Sequence, residues 1–354
     1  MKYLIIVICF IYGVFGYSQY TAIPDPNFEN YLEQNGMGDG VPNNGQVLTA
    51  NIENVTELVI FGMGIQDLTG IQDFAAVELI NCSFNTIPTL DVSQNMNLAG
   101  LGCESSSITE LFLPPTPTLT ILNCAENFLT ELDVSQNPGL EQLYCQFNFL
   151  TSLNLANNIS LELIFSAHNN ISGFLDTSQN PALSSLSVGY NDITELDLAS
   201  NIALLSLGAS SNPILSLDAR NGNNENIISF VVTETTGDLD CILVDDASAT
   251  YLDDWLKDPE TTFVNNQQEC DALGVRDMDS HNFTMYPNPT NEIITINLLK
   301  TASYMLFDSN SKNIKNGELV EGNNLISVEG LDAGVYFLKV YTDKEVITKK
   351  LVVY

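Results

Sequence analysis

Histidine is almost absent from this chain of 354 residues, and so is positive charge: there are 2 His, 11 Lys and Arg together, and 1 Trp. Neither His168 nor His281 belongs to a pair with metal-ligand spacing, so histidine-based acid–base or metal chemistry has little to work with. No nucleophile elbow, phosphate-binding loop or calcium EF-hand loop occurs in residues 55–235. Long apolar runs are missing too, apart from Leu4 to Phe15, which is too short to span a bilayer. With Lys2 before it and Gly16 and Ser18 after it, that run reads as a secretory signal peptide over residues 1–19. Cys9 sits deep inside it with no small residue before it, which argues against a lipoprotein cleavage site.

Acid is abundant, giving a formal net charge of -33. Residues 20–282 hold 36 Asp and Glu against Arg220, Lys257 and Arg276, whereas residues 283–354 hold 8 acids and 7 lysines. Such a surface repels phosphate backbones and anionic lipid, so nucleic acid is excluded as a partner. The plain role of the acidity is solubility for an exported protein.

Aligned on itself, the chain shows a unit that recurs every 21 to 23 residues with apolar side chains at its first, fourth and sixth places. The fourth place reads Leu58, Ile80, Leu101, Leu122, Leu143, Ile164, Leu186, Leu207 and Phe230. The sixth reads Ile60, Cys82, Cys103, Cys124, Cys145, Ser166, Val188, Ala209 and Val232. Three residues further on stands Asn, as at Asn85, Asn127, Asn148, Asn169, Asn191 and Asn212, and a second row holds Asn95, Asn137, Asn158, Asn180 and Asn201. An Asn amide offers both donor and acceptor to neighbouring turns, so these rows read as internal ladders.

The spacing resembles the leucine-rich repeat, LxxLxLxxNxL, in short bacterial, internalin-like form, over residues 55–235. The resemblance implies a solenoid of parallel strands about 4.8 Å apart with an irregular convex side. Its open ends need caps. Residues 20–54 supply a helical one, with Asp25 as N-cap, Pro26 in the first turn, Phe28, Tyr31 and Leu32 buried, and Asn35-Gly36 as the stop. Residues 236–275 supply the other, and the likeness of DCILVDD and QQEC to the closing segment of such proteins implies a disulfide between Cys241 and Cys270. The cysteines at 82, 103, 124 and 145 occupy the inward column as small apolar residues, and parallel in-register side chains are poor disulfide partners.

After Arg276 the period stops, residues 276–282 read as a linker, and alternating strand-like runs take over. Tyr286-Pro287-Asn288-Pro289, then Gly334, Tyr336 and Val340, then Lys349, Lys350 and Leu351 resemble the ordered motifs of a type IX secretion C-terminal (type A) sorting domain over residues 283–354. The resemblance implies a small all-β, sandwich-like domain, recognition by the type IX machinery, and a secreted or outer-surface location.

The strand residues pointing away from a solenoid core are its binding surface. They are small or polar at both ends of the array, at Gly100, Gly102 and Ser105 and at Ser206, Gly208, Ser210 and Ser211. Three middle units instead present Tyr144 and Phe147, Phe165 and His168, and Tyr190. This candidate concave patch either anchors a protein or glycan ligand or packs over the coil edge. Asp91, Asp133, Asp176, Asp197 and Asp218 line one coil edge, where they either bind calcium or face water. The expectation is a binding or adhesion module, not an enzyme, with no cofactor; the alternative is an envelope or biofilm component that self-associates.

Overall fold

The structure, a computed structural model, describes residues 19–237, 239–274, 283–298, 301–308, 312–341 and 346–354. Residues 1–18 of the leader expected over 1–19, the linker at 276–282 and His281 lie outside the described residues. The chain divides into two compact units that meet in sequence at Leu273 and Gly274.

The first unit is built on a parallel sheet of ten short strands, from Glu57–Val59 at one end to Leu256–Lys257 at the other. Its register is the repeat itself: Leu58, Ile80, Leu101, Leu122, Leu143, Ile164, Leu186, Leu207 and Phe230 lie side by side. Every one of these side chains is buried, as is every residue of the sixth column. Because side chains alternate across a strand, the residue between them, such as Tyr144 or Phe165, must face away from that core. Pairing continues beyond residue 235: Trp255 and Lys257 prolong the fourth and sixth columns, since Val232 pairs with Lys257. Trp255 closes the column by stacking on Phe230 at 4.0 Å between centroids, and the Lys257 amine turns across the open end to the Thr261 carbonyl at 2.5 Å.

The convex side is irregular in its middle and carries strands elsewhere. Thr89–Asp91 pairs with Glu110–Phe112, and Ser172–Phe174, Asp192–Asp197, Ser216–Asp218, Cys241–Leu243 and Thr262–Val264 form a five-stranded parallel sheet. The second half of each unit is periodic as well: Ile193, Leu196 and Leu198 in one coil and Ile214, Leu217 and Ala219 in the next are buried, with Leu196 paired to Leu217.

Between the two sides, the asparagine rows satisfy the backbone that turning exposes. Asn169 is typical: its amide donates to the Cys145 and Ser166 carbonyls at 3.0 and 3.1 Å, and its oxygen accepts the Leu150 N–H at 2.9 Å. Ser106 stands where the row lacks Asn and donates to the Cys82 carbonyl at 3.0 Å. In the second row Asn180 donates to the Leu155 and Asn158 carbonyls, and Asn201 to those of Thr177 and Asn180.

The N-terminal helix, Pro26–Gln34, starts where Asp25 accepts from the Asn27 and Phe28 N–H groups, and it buries Phe28 and Leu32 with Tyr31 half-covered. Gly36, at φ +74°, follows its last turn. At the other end a disulfide joins Cys241 to Cys270 on the helix Gln267–Gly274, with their Cα atoms 5.7 Å apart. Closing a loop of 29 residues stabilises by about 3–4 kcal/mol in the chain-entropy picture. Cys82, Cys103, Cys124 and Cys145 are free and buried.

The second unit pairs two antiparallel sheets. One has Phe283–Tyr286, Ile293–Leu298 and Gly322–Ser327; the other has Asn313–Leu319, Ala302–Asp308, Gly334–Tyr341 and Val346–Val353 in that spatial order. Alternation places Ile294, Ile296, Leu306, Leu338, Val340 and Leu351 in one core.

Candidate binding face and sorting tail

Each coil leaves its strand through a tight turn whose residue, at the eighth place of the unit, adopts a left-handed backbone. Gly62 takes it first at φ +65°, and Phe84, Ser105, Glu126, Phe147, His168, Tyr190, Ser211 and Glu234 follow at φ between 49° and 60°. Left-handed backbone is costly for bulky residues, so something must hold them there. For three consecutive coils the compensation is visible. Phe147 stacks on His168 at 4.3 Å and 10°, and His168 on Tyr190 at 4.2 Å and 9°. Beside that column, three residues earlier in each coil, Tyr144 stacks on Phe165 at 5.3 Å and 14°.

The five residues singled out from the sequence therefore form two adjoining ring columns. Phe147, His168 and Tyr190 are exposed, whereas Tyr144 and Phe165 are half-buried. Tyr144 also directs its hydroxyl to the Gln142 side-chain oxygen at 3.2 Å. Coil spacing explains the stacking: flat rings on adjacent coils sit at close to van der Waals separation only if they lie parallel.

Two aromatic pairs escaped the sequence reading. Phe128 and Phe149, two places beyond the turn, stack at 6.3 Å and are half-exposed, which extends the ring cluster by one coil. The start of the array is also less polar than expected: Phe61 and Phe84 meet at 4.9 Å, both half-exposed, next to Val59 and Leu79. Phe61, in the seventh column of the first coil, and Phe84, in the eighth of the second, were legible, whereas Gly100, Gly102 and Ser105 represent only the third coil.

The aspartate row does local work at the convex turn. Asp91, Asp133, Asp176, Asp197 and Asp218 each accept the N–H of the residue two places on, at 2.9 to 3.0 Å, as Asx turns do. The backbone and hydroxyl donors of Ser135 hold Asp133 below the usual carboxylate range, and those of Ser178 do the same for Asp176. Asp218 is further engaged by Arg220 at 2.5 Å. Among the described residues no group of three or more His, Cys, Asp or Glu is placed to hold a metal ion.

In the second unit the motifs meet. Asn288 donates its amide to the Lys350 carbonyl at 2.7 Å and accepts the Val352 N–H at 2.8 Å. Thr290 continues the lacing, its N–H reaching the Val352 carbonyl at 3.0 Å and its carbonyl accepting from Tyr354 at 3.1 Å. Tyr286-Pro287 and Asn288-Pro289 are both cis. Gly334 pairs with Val353, and Lys349 and Lys350 pair with Leu338 and Phe337. Tyr336 is buried with its hydroxyl on the Asp332 carbonyl at 2.9 Å, whereas Tyr286 is 52% exposed.

Residues 284–354 match the family described as the secretion system C-terminal sorting domain. No curated protein matches the chain. Among solved structures, the chain is similar to the internalin InlF of Listeria monocytogenes, at 18% identity over 69% of this chain and 76% of that one, with a TM-score of 0.48. It is similar to the functional domain of InlJ from Listeria monocytogenes, described as including a cysteine ladder, at 20% identity over 95% and 99% with a TM-score of 0.36. YopM of Yersinia enterocolitica is 27% identical over 52% of this chain and 38% of its own length, with a TM-score of 0.44.

The in-register columns define a leucine-rich-repeat solenoid of the short bacterial kind. Its tail is a type IX sorting domain, so the chain is exported to the cell surface or beyond. Among the described residues no helix is long and apolar enough to cross a membrane.

Proposed function

We propose that the exported solenoid is a binding or adhesion module, not an enzyme, and that its ligand, a protein or a glycan, lies on the outward strand face over Tyr144, Phe147, Phe165, His168 and Tyr190. The observation that carries this reading is the concentration of five stacked rings on three consecutive coils, three of them exposed. Water-exposed apolar clusters of this kind reduce solubility unless a partner covers them, and aromatic anchors dominate interface energetics. In the same reading residues 1–19 are removed on export, 20–54 and 236–275 cap the array at 55–235, and 283–354 engage the type IX machinery through the segments at Tyr286–Pro289 and Lys349–Lys350.

The test is a screen of the full chain against protein and glycan arrays beside the Tyr144→Ser, Phe165→Ser, Tyr190→Ser triple variant. A ligand retained by the native chain and lost by the folded variant supports the reading. Equal binding by both rejects the patch.

A further inference from the structure

Resting on the strand-face reading, we propose that the site takes a protein segment carrying basic side chains with apolar stems, rather than a neutral glycan. Three observations converge on this ligand.

Ring orientation comes first. Sugars stack their C–H faces on an open aromatic face, and cations seek the same face. Here six of the ten ring faces are spent on one another. Both faces of the His168 ring are covered by Phe147 and Tyr190 at 4.3 and 4.2 Å, and Tyr144 and Phe165 cover one face of each other. Apart from the end faces of each short column, solvent meets ring edges. Edges pack well against methylene and methyl groups and poorly support a pyranose.

Charge is the second. The turn column that holds the rings runs from Glu126 through Phe147, His168 and Tyr190 to Ser211 and Glu234, with Glu126 exposed one coil before the rings. On the other edge of the same strands stand Glu141 and Glu162, both exposed. Among the described residues of the solenoid unit the cations are Arg220 and Lys257, which engage Asp218 and the Thr261 carbonyl. A second copy of so acidic a face is repelled, and a basic segment is drawn to it. Arg and Lys combine what the face asks for, an apolar stem for the ring edges and a charged head for the carboxylates.

The third is an acceptor without a donor. The side-chain oxygen of Gln146 is buried between the strand positions of Tyr144 and Phe147 and has no hydrogen-bond partner. Leaving a buried acceptor unpaired destabilises the unliganded face. A turn of the Gln146 side chain toward the surface would bring that oxygen within reach of an N–H from a bound guanidinium, ammonium or peptide group, and a ligand rich in donors is again a basic segment.

The experiment titrates the full chain with a short peptide alternating arginine and leucine, with its glutamate-for-arginine counterpart, and with neutral oligosaccharides. The arginine peptide is expected to bind, to weaken about tenfold in the Glu141→Gln, Glu162→Gln variant, and to weaken further as salt rises. Gln146→Met, which keeps the side-chain length and removes the acceptor, separates the orphan oxygen from general packing and is expected to weaken the same peptide. Equal binding of the two peptides overturns the proposal, as does an oligosaccharide that binds and is lost with the ring-to-serine variant. The latter outcome keeps the strand face as the binding site and sinks only the basic-segment inference. If ring replacement leaves the binding of every probe unchanged, the strand-face reading falls with it.

Discussion

The Asn288 side chain behaves toward the terminal strand as a neighbouring strand would, giving its amide to the Lys350 carbonyl and taking the Val352 N–H. One residue of the first motif thus fastens the outer edge of the last strand, 62 residues away in sequence. Edge strands with free N–H and C=O groups invite unwanted pairing, and this clasp covers two of them. Asn288→Ala is therefore expected to destabilise the sorting domain by about 1–2 kcal/mol, allowing for the exposed setting of both bonds. Amide exchange should show the loss at Val352 first; unchanged protection there would contradict the clasp.

The inner asparagine row makes a sharper demand, because its bonds are buried. Asn169→Ala strands the Cys145 and Ser166 carbonyls and the Leu150 N–H together. The expected loss is about 3 kcal/mol, read as a lower denaturation midpoint at constant m-value. The adjoining Ser166 side chain should respond in the opposite sense. It occupies the inward column beside Cys145, fully buried, with its hydroxyl unpartnered. Ser166→Ala removes that orphan and is expected to stabilise by about 1 kcal/mol; a destabilised variant would show that the hydroxyl has an unrecognised partner.

The left-handed turn gives a backbone test free of side-chain contacts. Gly62 is the glycine of the eighth column, at φ +65°, and a Cβ there would meet no atom within 4 Å. Any cost of Gly62→Ala is then conformational, about 1 kcal/mol by the usual penalty of this region, and Gly62→Asn should cost less. Thermal melts of the two variants check the order. Equal midpoints for glycine and alanine would mean that the turn is not held in this conformation.

What was readable in the sequence was whatever the repeat says many times. The fourth and sixth columns, both asparagine rows and the three-coil ring patch follow from one period applied in register, because stacking forces identical places to become neighbours. The second apolar segment of each unit was readable, but its pairing into a second sheet was not, since nearly the same run is unpaired at 131–134 and strand at Asp192–Asp197. Phe128 and Phe149 were missed because they lie two places past the turn, outside the strand window that defines the binding face. The motif residues of the tail were recognisable one by one. That Asn288 meets Lys350 and Val352 is a long-range contact with no local signal.

The cysteine column supplies a pH test of the core. Burial pushes the Cys82 and Cys124 thiols up to about 12 from an ordinary value near 9.0, and Cys103 and Cys145 shift in the same direction for the same first reason. The native state therefore holds these protons more tightly than the unfolded chain. Their contribution is fully present below about pH 9 and is lost as the pH climbs toward about 12, since over that window the unfolded state releases protons that the folded state keeps. Two measurements follow from this. Alkylation at mildly alkaline pH should leave all four thiols intact until denaturant is added, because the thiolate is the nucleophile. Alkaline unfolding should move to higher pH in a Cys82→Val, Cys124→Val variant relative to its own neutral stability, since valine fills the column without a proton to lose. Rapid labelling of the native chain, or an alkaline transition that valine leaves in place, would put these thiols somewhere other than the sealed interior of the coils.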